Sequence, residues 1–195
     1  MVKKVASSFN DLLAKWLATG LGMGYVPIGS GTVASFAVAI MFYMLTTMSL
    51  LPQELFLIWL LWLFLIMVIG FWATAYYLKK RVVIGKNDPK PNDPSEVVID
   101  EVIGQTIALL PMTLFFSNMT LERNISLIVL SFLLFRLFDI WKPGAIGKLD
   151  RNNKKAKHSN YYIRATMVMI DDIYAGLYAA GIISIIIVID FFFIF

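Results

Sequence analysis

The sequence predicts an all-α fold: a polytopic membrane helical bundle of about five spans, preceded by an N-terminal amphipathic helix at the membrane interface. Hydrophobic residues make up 59% of the 195 residues and charged residues only 15%, whereas about 25% of a typical soluble domain is charged. Several apolar runs also reach the roughly 20 residues that cross a bilayer. We therefore expect one membrane-embedded domain over residues 1–195.

The N-terminal helix is predicted by apolar residues at helical spacing after Ser7 and Ser8, either of which suits the N-cap. These apolar residues are Val5, Phe9, Leu12, Leu13, Trp16 and Leu17. Because Asp11 and Lys15 interrupt the run, the segment is amphipathic and is expected to lie on the membrane surface. A soluble-core helix has the same spacing, but the apolar composition of the chain favours the interface.

Five apolar segments account for the predicted spans. They cover residues 32–50, 54–78, 96–116, 125–141 and 167–195. Pro52 lies in the short connection that makes the first two spans a hairpin. Two longer connections, "KKRVVIGKNDPKPND" and "KPGAIGKLDRNNKKAKHSNYYIR", carry the Pro, Gly and Asn residues typical of loops.

Basic residues are predicted to fall almost entirely on one side of the membrane. With alternating spans, that side holds Lys3, Lys4, Lys15, Lys79, Lys80, Arg81, Lys86, Lys90, Lys142, Lys148, Arg151, Lys154, Lys155, Lys157 and Arg164. The other side holds Arg123. By the positive-inside rule the first side, which includes the N-terminus, is the cytoplasm. The net charge of +4 is therefore assigned to membrane orientation, and no nucleic-acid partner is expected.

Carboxylates inside the apolar segments are the main candidates for a site. They are Asp100 and Glu101 in the third segment, Asp139 in the fourth, and Asp171 and Asp172 in the fifth. All lie near predicted cytoplasmic helix ends, so they and Asp150 in the adjoining loop are expected to meet at one depth. Because a charge within a span costs about 2.5–3.5 kcal/mol, such a cluster requires compensating cations.

Two kinds of compensation fit these acids: a bound divalent metal, or the basic residues Arg136, Lys142, Arg151 and Arg164. The chain has no cysteine and a single histidine, His158, which excludes thiolate and multi-histidine metal sites. Mg²⁺ prefers carboxylate oxygens and leaves positions for water and phosphate. Acids that only fix helix packing, or that line the path of a divalent-cation transporter or channel, are the alternatives.

Four motifs carry a resemblance to a known family. They are "YVPIGSGTVASF" (25–36), "VVIDEVIGQ" (97–105), "FRLFDIWKPGAIGKLDRN" (135–152) and "MIDDIYAG" (169–176). In order and separation they resemble the phosphatidylglycerophosphatase A family over residues 20–180. The resemblance implies a Mg²⁺-dependent phosphatase of the bacterial inner membrane, with its active site facing the cytoplasm. Its substrate would be an anionic phospholipid, phosphatidylglycerophosphate, which loses its terminal phosphate to give phosphatidylglycerol.

The expected mechanism is attack by metal-bound water. Composition excludes a cysteine nucleophile, and the sequence lacks the D-x-D motif that usually indicates an aspartyl-phosphate intermediate. Asp139 stays open as an alternative nucleophile. The predicted metal ligands or ligand-orienting residues are Asp100, Glu101, Asp171 and Asp172. The predicted catalytic residues are Asp139, as general base or a further part of the site, with Asp150, and the phosphate-facing Lys142, Arg151 and Arg136.

Thr32 and Ser35 are predicted to donate hydrogen bonds to phosphate, together with the backbone around Gly29 and Gly31, as helix N-termini do. A flexible link between the surface helix and the first span explains these glycines equally well. The sequence makes no prediction of the oligomeric state.

Overall fold

A computed structural model of the protein describes residues 8–48, 50–84, 94–144, 147 and 160–193, and no β-strand occurs within these ranges. The α-helices are α1 (Phe9–Ala18), α2 (Ser30–Thr46), α3 (Pro52–Ile84), α4 (Ile99–Leu109), α5 (Leu121–Trp141) and α6 (Tyr161–Phe193). Short 3₁₀ helices cover Met23–Tyr25, Leu110–Leu114 and Phe116–Asn118. The predicted all-α class is therefore confirmed for the described residues.

Three of the described helices are long and apolar enough to cross a membrane: Pro52–Lys80 of α3, the whole of α5, and Tyr161–Phe192 of α6. They match the predicted second, fourth and fifth spans. The shortest, α5, has 21 residues and so measures about 32 Å, close to the roughly 30 Å hydrocarbon core of a bilayer. These helices mark the chain as a membrane protein.

The predicted span count of five is not confirmed. In place of the first span lies α2, an apolar helix of 17 residues, and in place of the third lies α4, with 11 residues followed by 3₁₀ turns. Helix α4 is buried from Val102 to Leu109 and is enclosed by α2, α3, α5 and α6. An apolar run enclosed by protein and one that faces lipid have similar compositions, so the sequence alone did not separate them.

Helix α1 has one face on α3 and one face exposed. Ala14 and Ala18 are fully buried, whereas Phe9 is 77% and Trp16 55% exposed. The backbone N–H of Ser8 donates to Asp11 Oδ2 at 2.9 Å, which closes the first turn of the helix. The location of α1 at a membrane interface stays a prediction.

An ion pair between Asp11 Oδ2 and Lys80 Nζ, 2.7 Å apart, fastens α1 to α3. The hydrogen bond from Lys80 lowers the pKa of Asp11 below its ordinary value. A carboxyl group with a lowered folded-state pKa stabilises the fold above its unfolded pKa, and this contribution is lost as the pH falls through the folded pKa.

We therefore expect wild type to melt at a slightly higher temperature than Asp11→Asn at pH 7, because exposed ion pairs contribute little. The difference in Tm should shrink as the pH falls below the ordinary pKa of an aspartate, about 3.9, and through the lowered folded-state pKa of Asp11. Tryptophan fluorescence of both proteins in detergent, melted across a pH series, measures it. A difference that stays constant with pH would contradict the role of the Asp11 charge.

The segment before α4 is held by residues from the end of α1 to the start of α2. The N–H of Val98 donates to the Ala18 carbonyl at 3.0 Å, and Ser30 Oγ donates to the Ser95 carbonyl at 3.1 Å. Gly24 lies so close to Glu96 that an added Cβ would overlap the Glu96 carbonyl. These contacts fix the point at which α4 begins.

Helices α4 and α6 cross in backbone contact at two glycines. A Cβ added to Gly104 would lie 2.7 Å from the Asp172 carbonyl oxygen, and one added to Gly176 would overlap the Gly104 carbonyl. Each glycine lies one turn after an acid, Gly104 after Asp100 and Gly176 after Asp172, so this crossing draws the acids of the two helices together.

Candidate active site

Asp100 and Glu101 occupy the first turn of α4. The partial positive charge of a helix N-terminus favours acids there, and Asp100 is buried at 6% exposure. The fixed start of α4 leaves these side chains little freedom to move toward solvent. Two carboxyl groups are therefore held at the end of an otherwise apolar helix.

Asp172 of α6 supplies a third carboxyl group and is only 4% exposed. One carboxylate oxygen from each of Asp100, Glu101 and Asp172 lies within 4.8 Å of the other two. Three negative charges this close repel one another strongly in a buried environment. Glu101 Oε2 is buried and accepts no hydrogen bond from the described residues. A cation bound among the three would relieve the repulsion and satisfy this oxygen.

The neighbouring Asp171 faces a different partner. Its Oδ2 accepts a hydrogen bond from Lys142 Nζ and forms an ion pair with it. Lys142 ends α5 in a left-handed conformation with φ of +49°, and its N–H donates to the Phe138 carbonyl. The end of α5 is thereby joined to the acid-bearing turn of α6.

A second ion pair lies one turn earlier on α5, where Arg136 Nη1 is 2.7 Å from Asp139 Oδ2. Both side chains are about 85% buried, at 15% and 14% exposure. Arg164, the other described basic residue predicted to compensate the acids, is buried on α6 two turns before Asp171. Basic groups therefore accompany the acids inside the fold.

One pocket of about 230 Å³ brings the acids together with Arg136 and Lys142. It is lined by Gly29, Ser30, Gly31, Ser95, Val97, Asp100, Glu101, Arg136, Asp139, Lys142, Val168, Asp171 and Asp172. On the α2 side the wall is the helix N-terminus, where a Cβ added to Gly31 would overlap the Glu101 carboxylate. The Glu101 carboxylate therefore occupies the space of a side chain at position 31 and would have to move to admit one.

The structure places the two hydroxyls that were predicted to bind phosphate outside the lining of the pocket. Thr32 is exposed beside Gly29, and neither it nor Ser35 lines the pocket. Ser35 is fully buried and donates its Oγ–H to the Gly31 carbonyl at 2.8 Å, so it supports the helix that forms the wall. Their binding of phosphate stays a prediction.

Sequence reasoning missed two polar residues of the pocket, Ser30 and Ser95. The available signal was their position near the starts of apolar helices, Ser30 as the first residue of α2 and Ser95 four residues before α4, where serine commonly satisfies backbone groups. Asp150, Arg151 and His158 lie outside the described residues. The predicted catalytic roles of Asp150 and Arg151 therefore stay predictions.

The donor set of the pocket suits a hard divalent cation. Its candidate ligands are carboxylate oxygens, as Mg²⁺ prefers, and the buried Glu101 Oε2 is available to a ligand. The pocket of about 230 Å³ leaves room for a phosphate group beside the cluster. Carboxylates that hold a cation, next to basic groups that can contact phosphate oxygens, are the parts that phosphoryl transfer requires.

Comparisons with known proteins agree with this chemistry. The sequence model of the phosphatidylglycerophosphatase A family matches residues 16–187. Phosphatidylglycerophosphatase A of Escherichia coli K12 is 30% identical over 92% of this chain and 88% of its own length. A Bacteroides thetaiotaomicron protein with the provisional name phosphatidylinositol-3-phosphatase is 28% identical over 87% of this chain and 90% of its own. No solved structure matches the chain.

Proposed function

Because this chain belongs to the phosphatidylglycerophosphatase A family and is a phosphatase, we propose that it hydrolyses the terminal phosphomonoester of phosphatidylglycerophosphate with Mg²⁺. The products are phosphatidylglycerol and inorganic phosphate. The observation that carries the proposal is the cluster of Asp100, Glu101 and Asp172 within 4.8 Å of one another, in one pocket with Arg136 and Lys142.

Asp100, Glu101 and Asp172 would hold the metal, and Asp171 is a further predicted ligand or a residue that orients the ligands. When bound, Mg²⁺ supplies positive charge beside the phosphoryl oxygens and makes a water molecule more acidic. Asp171 already forms an ion pair with Lys142, so this aspartate also sets the position of a cation that faces the pocket. The two adjacent acids would therefore differ in role, since Asp172 would hold the metal and Asp171 would also position Lys142.

Arg136 and Lys142 would bind the phosphoryl oxygens, and Asp139 would take the proton of the attacking water. Water adds its oxygen to phosphorus, the bond from phosphorus to the glycerol oxygen breaks, and that oxygen takes up the proton accepted by Asp139 and leaves as the alcohol. The ion pair with Arg136 fixes the position of the Asp139 carboxyl group that would serve as general base. Arrival of phosphate lets both cations share their charge between the aspartates and the substrate.

The pocket is proposed to face the cytoplasm at the inner membrane of a bacterium. It lies where α4 begins, where α5 ends and about three turns into α6, and the sequence concentrates lysine and arginine in the connections at that end. A phospholipid headgroup lies at the same depth as this end of the bundle. The exposed apolar face of α1 would lie in the adjoining interface.

A divalent-cation transporter is the less supported alternative. Beyond the acids, the core of the described bundle holds fully buried apolar side chains such as Ile103, Leu127, Ile183 and Ile187. The buried Gln105 among them donates a hydrogen bond to Ser131 Oγ at 3.4 Å, and at the far end Asp190 accepts one from Arg123 Nε at 2.7 Å. A pocket closed below by packed side chains, with these polar groups paired to one another, suits an enzyme that receives its substrate from one leaflet.

The test is phosphate release by the purified protein in detergent with phosphatidylglycerophosphate, phosphatidic acid or phosphatidylinositol-3-phosphate. With Mg²⁺ we expect the first lipid to be hydrolysed fastest, and EDTA should reduce the rate by at least about 100-fold. Full restoration by added Mg²⁺ controls for damage by the chelator. A rate that does not respond to Mg²⁺ would contradict the metal role, and preference for the phosphoinositide would change the proposed substrate.

A further inference from the structure

The two flanks of α5 differ where they border the pocket. On the flank toward α6, Lys142 forms an ion pair with Asp171, and Phe138 packs on Tyr178 with ring centroids 5.7 Å apart. On the flank toward α2, the pocket wall is made by Gly29, Ser30 and Gly31, two of which have no side chain. On the flank toward α2, the pocket wall therefore projects less far from the backbone than it does on the flank toward α6.

Four residues define what we name the α2–α5 seam: Thr32 and Phe36 on α2, and Phe132 and Arg136 on α5. Each pair is one helical turn apart and therefore lies on one edge of its helix. The rings of Phe36 and Phe132 meet edge to face across the seam, with centroids 6.0 Å apart. Because Arg136 lines the pocket, the aromatic pair lies one turn deeper than the pocket.

The seam thus passes from charge to hydrocarbon within a single turn, about 5.4 Å. Phe36 is 54% exposed, and the next side chains outward on α5, Leu133 and Leu137, are 55% and 50% exposed. Edge-to-face aromatic rings offer a rigid apolar surface that loses little entropy on contact. Such a gradient matches a molecule that has a phosphate at one end and an alkyl chain at the other.

We propose that an acyl chain of the lipid substrate lies along the α2–α5 seam, against Phe36 and Phe132, while its phosphate occupies the pocket. The proposal rests on the proposed function, since it takes a phosphomonoester lipid as the occupant. It adds the residues by which the enzyme distinguishes a membrane lipid from a soluble phosphate ester. Phe36 and Phe132 are binding residues that contact the chain, away from the reacting atoms.

The kinetic test uses the double variant Phe36→Ala/Phe132→Ala with two substrates: dipalmitoyl phosphatidylglycerophosphate and a water-soluble phosphomonoester without acyl chains. We expect KM for the lipid to rise about tenfold, since two aromatic contacts are lost, while kcat/KM for the soluble ester stays unchanged. Phe64→Ala is the matched control, because Phe64 is 64% exposed on α3, which does not line the pocket. Equal losses on both substrates, or an equal rise in KM for Phe64→Ala, would overturn the proposal.

Photolabelling tests the seam without turnover. Phosphatidylglycerophosphate with a diazirine in its acyl chain should label peptides of α2 and α5 in excess of α3, and unlabelled lipid should remove the excess. Phosphatidylcholine with the same chain should label the helices without this excess, and equal patterns for the two lipids would refute the seam. Excess labelling in a protein that releases no phosphate would uphold the seam and refute the proposed function.

Discussion

Asp172→Asn is expected to reduce phosphate release by more than about 100-fold without destabilising the protein in the absence of metal. The loss is expected because Asp172 is one of three carboxylates within 4.8 Å of one another, and losses of about 10–100-fold follow even from changes outside the ligand set. The stability is expected because, without metal, an amide removes one of three carboxylates that repel one another in a buried cluster. Phosphate assays and melting curves in EDTA measure both effects.

A second measurement separates metal binding from catalysis. Mg²⁺ should raise the Tm of wild type, since a ligand that binds only the folded state stabilises it, and Asp172→Asn should lose that response. Asp190→Asn is the matched control. Asp190 is also buried on α6, but it lies about 27 Å along the helix from Asp172 and pairs with Arg123. It should keep activity and the Mg²⁺ response. A full Mg²⁺ response in Asp172→Asn would remove Asp172 from the metal site.

The gathering of acids could be predicted from sequence because charge inside an apolar helix is costly. Asp100, Glu101, Asp139, Asp171 and Asp172 stand out against their surroundings, and all five line one pocket. Their shared depth was predicted because consecutive apolar segments were expected to cross the membrane in alternating directions, which brings these acids to the same side. This inference does not depend on whether the third predicted segment is a span, since α4 begins at the pocket although it is a short enclosed helix.

The pairing of individual groups could not be predicted. Asp171 and Asp172 are neighbours in sequence and about 100° apart around α6, so a small rotation of the helix decides which of them meets Lys142. In the structure Lys142 pairs with Asp171, and Asp172 joins Asp100 and Glu101. The left-handed conformation of Lys142 at the end of α5 also directs its side chain. No local sequence pattern predicts this conformation in a non-glycine residue.

The second large effect is expected for Gly176→Ala. A Cβ at Gly176 would overlap the Gly104 carbonyl, so α4 and α6 must separate to accept even one methyl group. We expect a destabilisation of about 1–3 kcal/mol from overpacking and a loss of activity of about 100-fold, because a shift of roughly 1 Å at a reacting site costs that much. Melting curves and the phosphate assay, each with and without Mg²⁺, measure the two effects.

Gly181→Ala provides the control on the same helix. A Cβ at Gly181 meets no atom within 4 Å, so this change should stabilise the protein by up to about 1 kcal/mol through helix propensity and leave activity unchanged. If Gly176→Ala behaves like Gly181→Ala, close contact of α4 with α6 does not hold Asp172 beside Asp100. If Gly176→Ala is still folded at the assay temperature by its melting curve, and excess Mg²⁺ partly restores its activity, the separation of the helices has weakened the metal site, since mass action refills a loosened site.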